Sequence, residues 1–161
     1  MKIVINSSPL IFLVRLQFLE LFLETSERVY LPQSVLDEIQ AKSDEINSAL
    51  VPLITNKKLI VTTTNLGSLF NHLTLSLGSG ESETIALATE LQADFVILDD
   101  LAARKAARNL GLNVKGTLAI IKKLNQAGKI EIIDLNEFYN KLLDINFRVS
   151  RSIFNTVFSD S

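Results

Sequence analysis

Short apolar runs alternate with longer segments of helical period along most of this chain. Ile3-Val4-Ile5 is β-branched and apolar at every position, the pattern of a strand buried on both faces. Ser8-Pro9 then reads as a helix N-cap with proline in the first turn, opening a helix that runs from Pro9 to about Glu24. Leu10, Leu13, Val14 and Leu21 make that helix apolar over more than one face, which suits deep burial or a face shared with a second subunit. Arg28-Val29-Tyr30-Leu31 is the next strand, and Val35, Leu36 and Ile39 mark the helix after it. A further helix is expected over residues 44–56, with Pro52 interrupting its hydrogen bonding. Leu59-Ile60-Val61-Thr62 reads as a strand. Residues 63–80 are polar and hold Gly67, Gly78 and Gly80, the composition of a long loop with one helical turn.

The second half continues the alternation. A helix over 81–92 leads to a strand over 94–98 and a helix over 101–110, with Gly111 as its C′ cap. Leu112-Asn113-Val114 is a short strand, Gly116-Thr117 opens a helix to about Ala127, and Ile130 to Ile133 is the last strand. Asp134 caps a helix over 135–143, and a terminal helix over 150–158 lies at the periphery. The pattern predicts an α/β fold with a mainly parallel sheet covered on both faces, in one domain over residues 1–161.

Composition narrows the chemistry. With 47% apolar and 21% charged residues among 161, a compact core is within reach. The absence of cysteine excludes a disulfide scaffold, a thiolate metal site and a cysteine nucleophile. His72 stands alone and cannot build a zinc cluster, so the metals to consider are those that take oxygen, Mg²⁺ or Mn²⁺. Charges interrupt every long apolar stretch and no leader cleavage site follows Lys2, so a cytoplasmic protein with no membrane span is expected. The net charge of −2 is unevenly spread: residues 1–98 carry 6 basic and 11 acidic side chains, residues 99–161 carry 10 and 7. Arg104, Lys105 and Lys115 belong to that second half, which offers either a shallow basic surface for a phosphate backbone or ordinary solvated helix faces.

The acidic chemistry concentrates between Gly78 and Asp100. Glu81 and Glu83 stand at the head of one helix, and Asp99 and Asp100 follow the next strand. In open parallel sheets ligands bind beyond the carboxyl ends of the strands. Asn6 follows the first strand and Glu38 lies in the helix after the second, so both are candidates for the same crevice. Carboxylates gathered there repel one another unless a divalent cation neutralises them. Each residue also has a plainer use: Glu81 and Glu83 favour the helix dipole, and either aspartate caps the helix that follows. No phosphate-binding loop and no serine elbow is present.

The order of motifs resembles a PIN domain, and more narrowly a subgroup of PIN-like proteins of prokaryotes. The resembling pieces are IVINSSPLIFL at residues 3–13, VYLPQSVLDEI at 29–39, LGSGESETIALA at 77–88, VILDDLAARKAARNLGL at 96–112 and VKGTLAIIKKL at 114–124. The resemblance implies a three-layer α/β/α sandwich. It also implies a Mg²⁺- or Mn²⁺-dependent endoribonuclease, the toxin of a pair held in check by a small protein antitoxin, and a homodimer. It puts the acidic positions at Asn6, Glu38, Glu81 and Asp99 or Asp100, with Glu83 as a further ligand. Ser7 and Thr117 would orient a ligand or water, and Arg104, Lys105 and Lys115 would hold RNA. Asn6 departs from the family's aspartate and brings no charge. That departure is what favours a second reading, a catalytically weak or inactive PIN-like module that binds RNA or a protein partner.

Overall fold

The computed structural model describes residues 1–26 and 28–159. Among them one sheet is built from β1 (Lys2–Ile5), β2 (Arg28–Pro32), β3 (Ile60–Thr62), β4 (Phe95–Ile97) and β5 (Val114–Lys115). Its order is β3-β2-β1-β4-β5, and every neighbouring pair is parallel. The connections run through α1 (Ser7–Arg15), α2 (Leu19–Glu24), α3 (Gln33–Lys42), α4 (Asp44–Thr55), α5 (Gly67–Leu73), α6 (Ser79–Leu91), α7 (Leu101–Asn109) and α8 (Thr117–Gln126). Helices α9 (Leu135–Asp144) and α10 (Arg151–Phe158) follow. No helix among the described residues is long and apolar enough to cross a membrane.

The alternation of side chains along β1 explains the layers. Ile3 and Ile5 enter one apolar cluster with Leu10 of α1, Ile121 of α8 and Leu142 of α9. Val4, between them, enters a second cluster with Ile85 and Ala88 of α6 and Ala103 and Ala107 of α7. The sheet is therefore covered on both faces, the α/β/α sandwich the strand pattern predicts. β1 has β2 on one side and β4 on the other, so the strand order reverses there. Asn6 and the Leu98–Asp100 segment leave adjacent strands at that switch point, where a crevice opens in parallel sheets.

Several segments differ from the sequence expectation. The helix expected over 9–24 is two helices, because Gln17 takes a left-handed φ of 63°. Phe18 N–H bonds the Leu13 carbonyl at 2.8 Å and Gln17 N–H bonds that of Val14 at 3.0 Å. This bond pair is a Schellman cap closed by glutamine, without the glycine that advertises one. α6 ends in the same way at Gln92, φ 51°. Residues 67–73 form α5 inside the stretch expected to be loop. The run Ile130 to Ile133 is not a strand: Ile130 and Ile132 pack against the core, Ile133 is 89% exposed, and Ile132 N–H bonds Asn125 Oδ1 at 3.3 Å. It has the apolar pattern of a strand without a ladder to join. α10 is not peripheral either, since Phe154 is fully buried with its ring centroid 5.1 Å from Tyr139 and 4.8 Å from Phe158.

Candidate functional site

Asn6 is fixed by its neighbours on both strands. Its N–H extends the ladder to the Ile97 carbonyl at 3.1 Å, and its own carbonyl accepts Leu10 N–H at 3.3 Å to start α1. The side chain is buried and its Oδ1 accepts the Thr84 hydroxyl at 3.3 Å. Thr84, fully buried on α6, also donates to the Gly80 carbonyl at 2.7 Å. A hydroxyl has one proton, shared here between two carbonyl oxygens with the shorter contact favoured, so Asn6 Oδ1 keeps a lone pair for a further partner.

The head of α6 brings two glutamates together. Gly80 N–H donates to Glu38 Oε1 at 3.1 Å. A β-carbon at position 80 would stand 2.5 Å from that oxygen, so only glycine lets α3 and α6 approach this closely without moving the carboxylate. Glu81 turns back on its own helix start and accepts Gly78 N–H at 3.3 Å. Burial pushes the Glu81 carboxyl above its ordinary range; the Gly78 N–H opposes this, and the Asp100 and Glu38 carboxylates beside it push it up again. Glu81 thus lies near both Asp100 and Glu38. Asp100 is exposed and caps α7 by accepting Ala103 N–H at 2.9 Å.

This crowding has a consequence for stability. A carboxyl that holds its proton more tightly folded than unfolded supports the fold most fully below its unfolded value, 4.5 for Glu81, and loses that support as pH rises through the elevated folded value. Glu81→Gln, which can still accept the Gly78 N–H, is therefore expected to melt higher than wild type at neutral pH. The gap should close near about pH 4. Thermal melts at the two pH values check it. A variant less stable at neutral pH would contradict the crowding.

Asp99 is held differently. Its Oδ1 accepts Thr117 N–H at 2.8 Å and its Oδ2 accepts the Thr117 hydroxyl at 2.6 Å, tying the end of β4 to the head of α8. Burial raises its carboxyl above the usual range, while the two Thr117 bonds and the nearby Arg104 guanidinium pull it down. Arg104 Nη1 donates to the Leu98 carbonyl at 2.7 Å, across a space that a side chain at Gly116 would fill.

Other candidates lie elsewhere. Glu83 is 3% exposed and accepts Ser34 N–H at 2.7 Å and Thr64 N–H at 3.1 Å, so its oxygens anchor the exits of β2 and β3. Lys115 reaches back along β4 and sets its Nζ 5.0 Å from the Phe95 ring centroid, away from the carboxylates. Lys105 is exposed on α7, and Ser7 is half-buried at the start of α1. Thr84 and Gly80 join the site from α6, although Gly80 reads in the sequence only as a loop glycine. Their signal is spacing: Gly80 and Thr84 are four apart and share one turn-to-turn face of α6.

The donor types suit a hard cation such as Mg²⁺ or Mn²⁺: carboxylates and an amide carbonyl. Their placement is looser. Among the described residues no three His, Cys, Asp or Glu side chains are gathered so as to hold one metal ion.

No curated protein matches the chain. Among solved structures it is similar to a PilT N-terminus domain protein from the hyperthermophilic archaeon Sulfolobus solfataricus P2. The match has a TM-score of 0.53 and 20% identity, and covers 83% of this chain and 98% of that one, a likeness of fold. The family model DUF3368, described as a PIN domain, matches residues 2–161. Five parallel strands in the order found, an asparagine and two aspartates at the switch point, and a family match over nearly the whole length agree, and the chain belongs to the PIN-domain family.

Proposed function

We propose that this chain is a catalytically weak PIN module that binds single-stranded RNA. The observation that carries the reading is how the acidic positions are used. Asp99 has both oxygens bonded to Thr117, and Asn6 is neutral. Glu38, Glu81 and Asp100 remain, with Glu81 near each of the other two. They would hold Mg²⁺ or Mn²⁺ loosely, with the Asn6 carbonyl completing the set; such an ion would supply charge neutralisation at a phosphate. Arg104, one turn from Arg108 on α7, supplies positive charge beside Asp99.

A metal-dependent endoribonuclease, the toxin of a pair with a small protein antitoxin, is the second reading. The feature that favours it is the elevated Glu81 carboxyl beside two other carboxylates, since perturbed acids cluster at working sites. A homodimer through the partly buried apolar residues Ile11, Val14 and Leu21 belongs to either reading, and a monomer in light scattering removes it.

One experiment separates the two. Labelled single-stranded RNA is titrated with protein at several salt concentrations, then incubated with Mn²⁺. Binding is expected with a log–log salt slope near about −2, as for three phosphate contacts on a single strand. Cleavage is expected to be slow and to vanish in Glu81→Gln and Asp100→Asn. Rapid cleavage by wild type, lost in both variants, establishes the second reading; cleavage that survives both sinks the site; no binding at low salt sinks the proposal.

A further inference from the structure

Asp99 and Asp100 also border a second space, a cleft of 720 Å³ between α7, the head of α8 and the chain from Phe147 into α10. Three guanidinium groups line it: Arg104, Arg108 and Arg148. Arg104 is fixed by its bond to the Leu98 carbonyl, while Arg108 and Arg148 are exposed. Phe12 and Phe147 meet edge to face at 4.7 Å in its wall. At its mouth stand Leu101, 81% exposed, and Ile153, 57% exposed. Two exposed aliphatic side chains beside arginines offer apolar contact and positive charge to a single ligand.

We propose that this cleft takes one unstacked nucleobase of a bound RNA strand. Leu101 and Ile153 contact the base, and Arg108 and Arg148 receive the phosphates flanking it. The inference rests on the RNA-binding reading and adds to it the place where a base is held. Size favours this occupant over a protein helix: clefts of 300–1,000 Å³ suit small ligands, and a single nucleotide is of that order. Charge favours it as well. Of the two carboxylates at the edge, Asp99 is bonded twice to Thr117 and Asp100 caps α7, while the arginines outnumber them. Aliphatic contacts carry no hydrogen-bonding pattern, so the site would hold a base without reading its identity.

The test compares two labelled strands of equal length and charge in fluorescence anisotropy, one ordinary single-stranded RNA and one with abasic sugars at its central positions. Wild type is expected to bind the ordinary strand about fivefold tighter, the scale of roughly 40 Å² of apolar surface removed from water. Leu101→Ser with Ile153→Ser should erase that difference; both side chains are exposed, so the fold is kept. Arg148→Ala should weaken both strands alike and flatten the salt slope by about 0.7, one phosphate on a single strand. Equal binding of the two strands by wild type, or a preference that survives the double substitution, overturns the base site and leaves the RNA reading standing. So does a double variant that changes only self-association in light scattering, which would mark the face as a protein contact. Failure of wild type to bind either strand at low salt removes the RNA reading and this inference with it.

Discussion

Replacing Glu83 by alanine is expected to destabilise the fold by about 2–4 kcal/mol, the cost of leaving two backbone N–H donors without their acceptor. The side chain is 3% exposed, and its two oxygens serve the backbone donors Ser34 N–H and Thr64 N–H. Ser34 N–H belongs to the first turn of α3, where the N-cap is Pro32 and provides no side-chain cap. Glu83 acts as that cap from another helix, and its charge sits at the positive end of the α3 dipole. Thr64 N–H lies just past β3, so one carboxylate ties the exits of two strands to α6. Glutamine keeps a single acceptor and turns its NH₂ toward a donor, so about half the loss is expected there. Denaturant unfolding at neutral pH measures both. For a chain of this size, the alanine loss corresponds to a fall in Tm of about 10 °C. A loss below about 1 kcal/mol would free Glu83 from its anchoring role.

The sandwich was legible because its strands are written plainly. Ile3-Val4-Ile5 and Phe95-Val96-Ile97 are apolar at every position, and only a sheet covered on both faces uses such runs. The polar residues after them marked the crevice for the same reason, since Asn6 and Asp99 stand where apolar burial stops. What the sequence concealed depends on partners distant in the chain. Glu81 and Glu83 look alike, yet two positions on a helix point in different directions, and one faces Asp100 while the other faces Ser34 and Thr64. Asp99 and Asp100 divide their duties according to Thr117, 18 residues further on. Gln17 and Gln92 end helices in a conformation glycine usually marks, so the break in the first long helix carried no signal. The Arg148 side of the cleft is brought to Arg104 by the return of the chain into α10, which no local pattern announces.

Asn6→Asp is expected to tighten divalent-cation binding by about tenfold and to lower the stability of the metal-free protein. A charge added within about 4 Å of a divalent ion is worth about 2 kcal/mol even at the dielectric of bulk water. The amide carbonyl it replaces is itself a weak ligand, so the net gain is smaller, on the order of 1.4 kcal/mol. Without an ion, the new carboxylate joins Glu38, Glu81 and Asp100, and Glu81 is already raised by its acidic neighbours. Thr84 offsets part of this cost, because its hydroxyl lies 3.3 Å from Asn6 Oδ1 and can donate to a carboxylate there, at the expense of its 2.7 Å bond to the Gly80 carbonyl. Thr84→Val removes that donor. The pair should therefore be non-additive: Asn6→Asp loses more stability in a Thr84→Val background than in wild type. Calorimetric titration with Mn²⁺ reads the affinity, and denaturant unfolding with and without Mn²⁺ reads the repulsion. An unchanged affinity would show that the Asn6 carbonyl does not face the ion, and would leave the burial of this amide to be explained by Thr84 and the start of α1 alone.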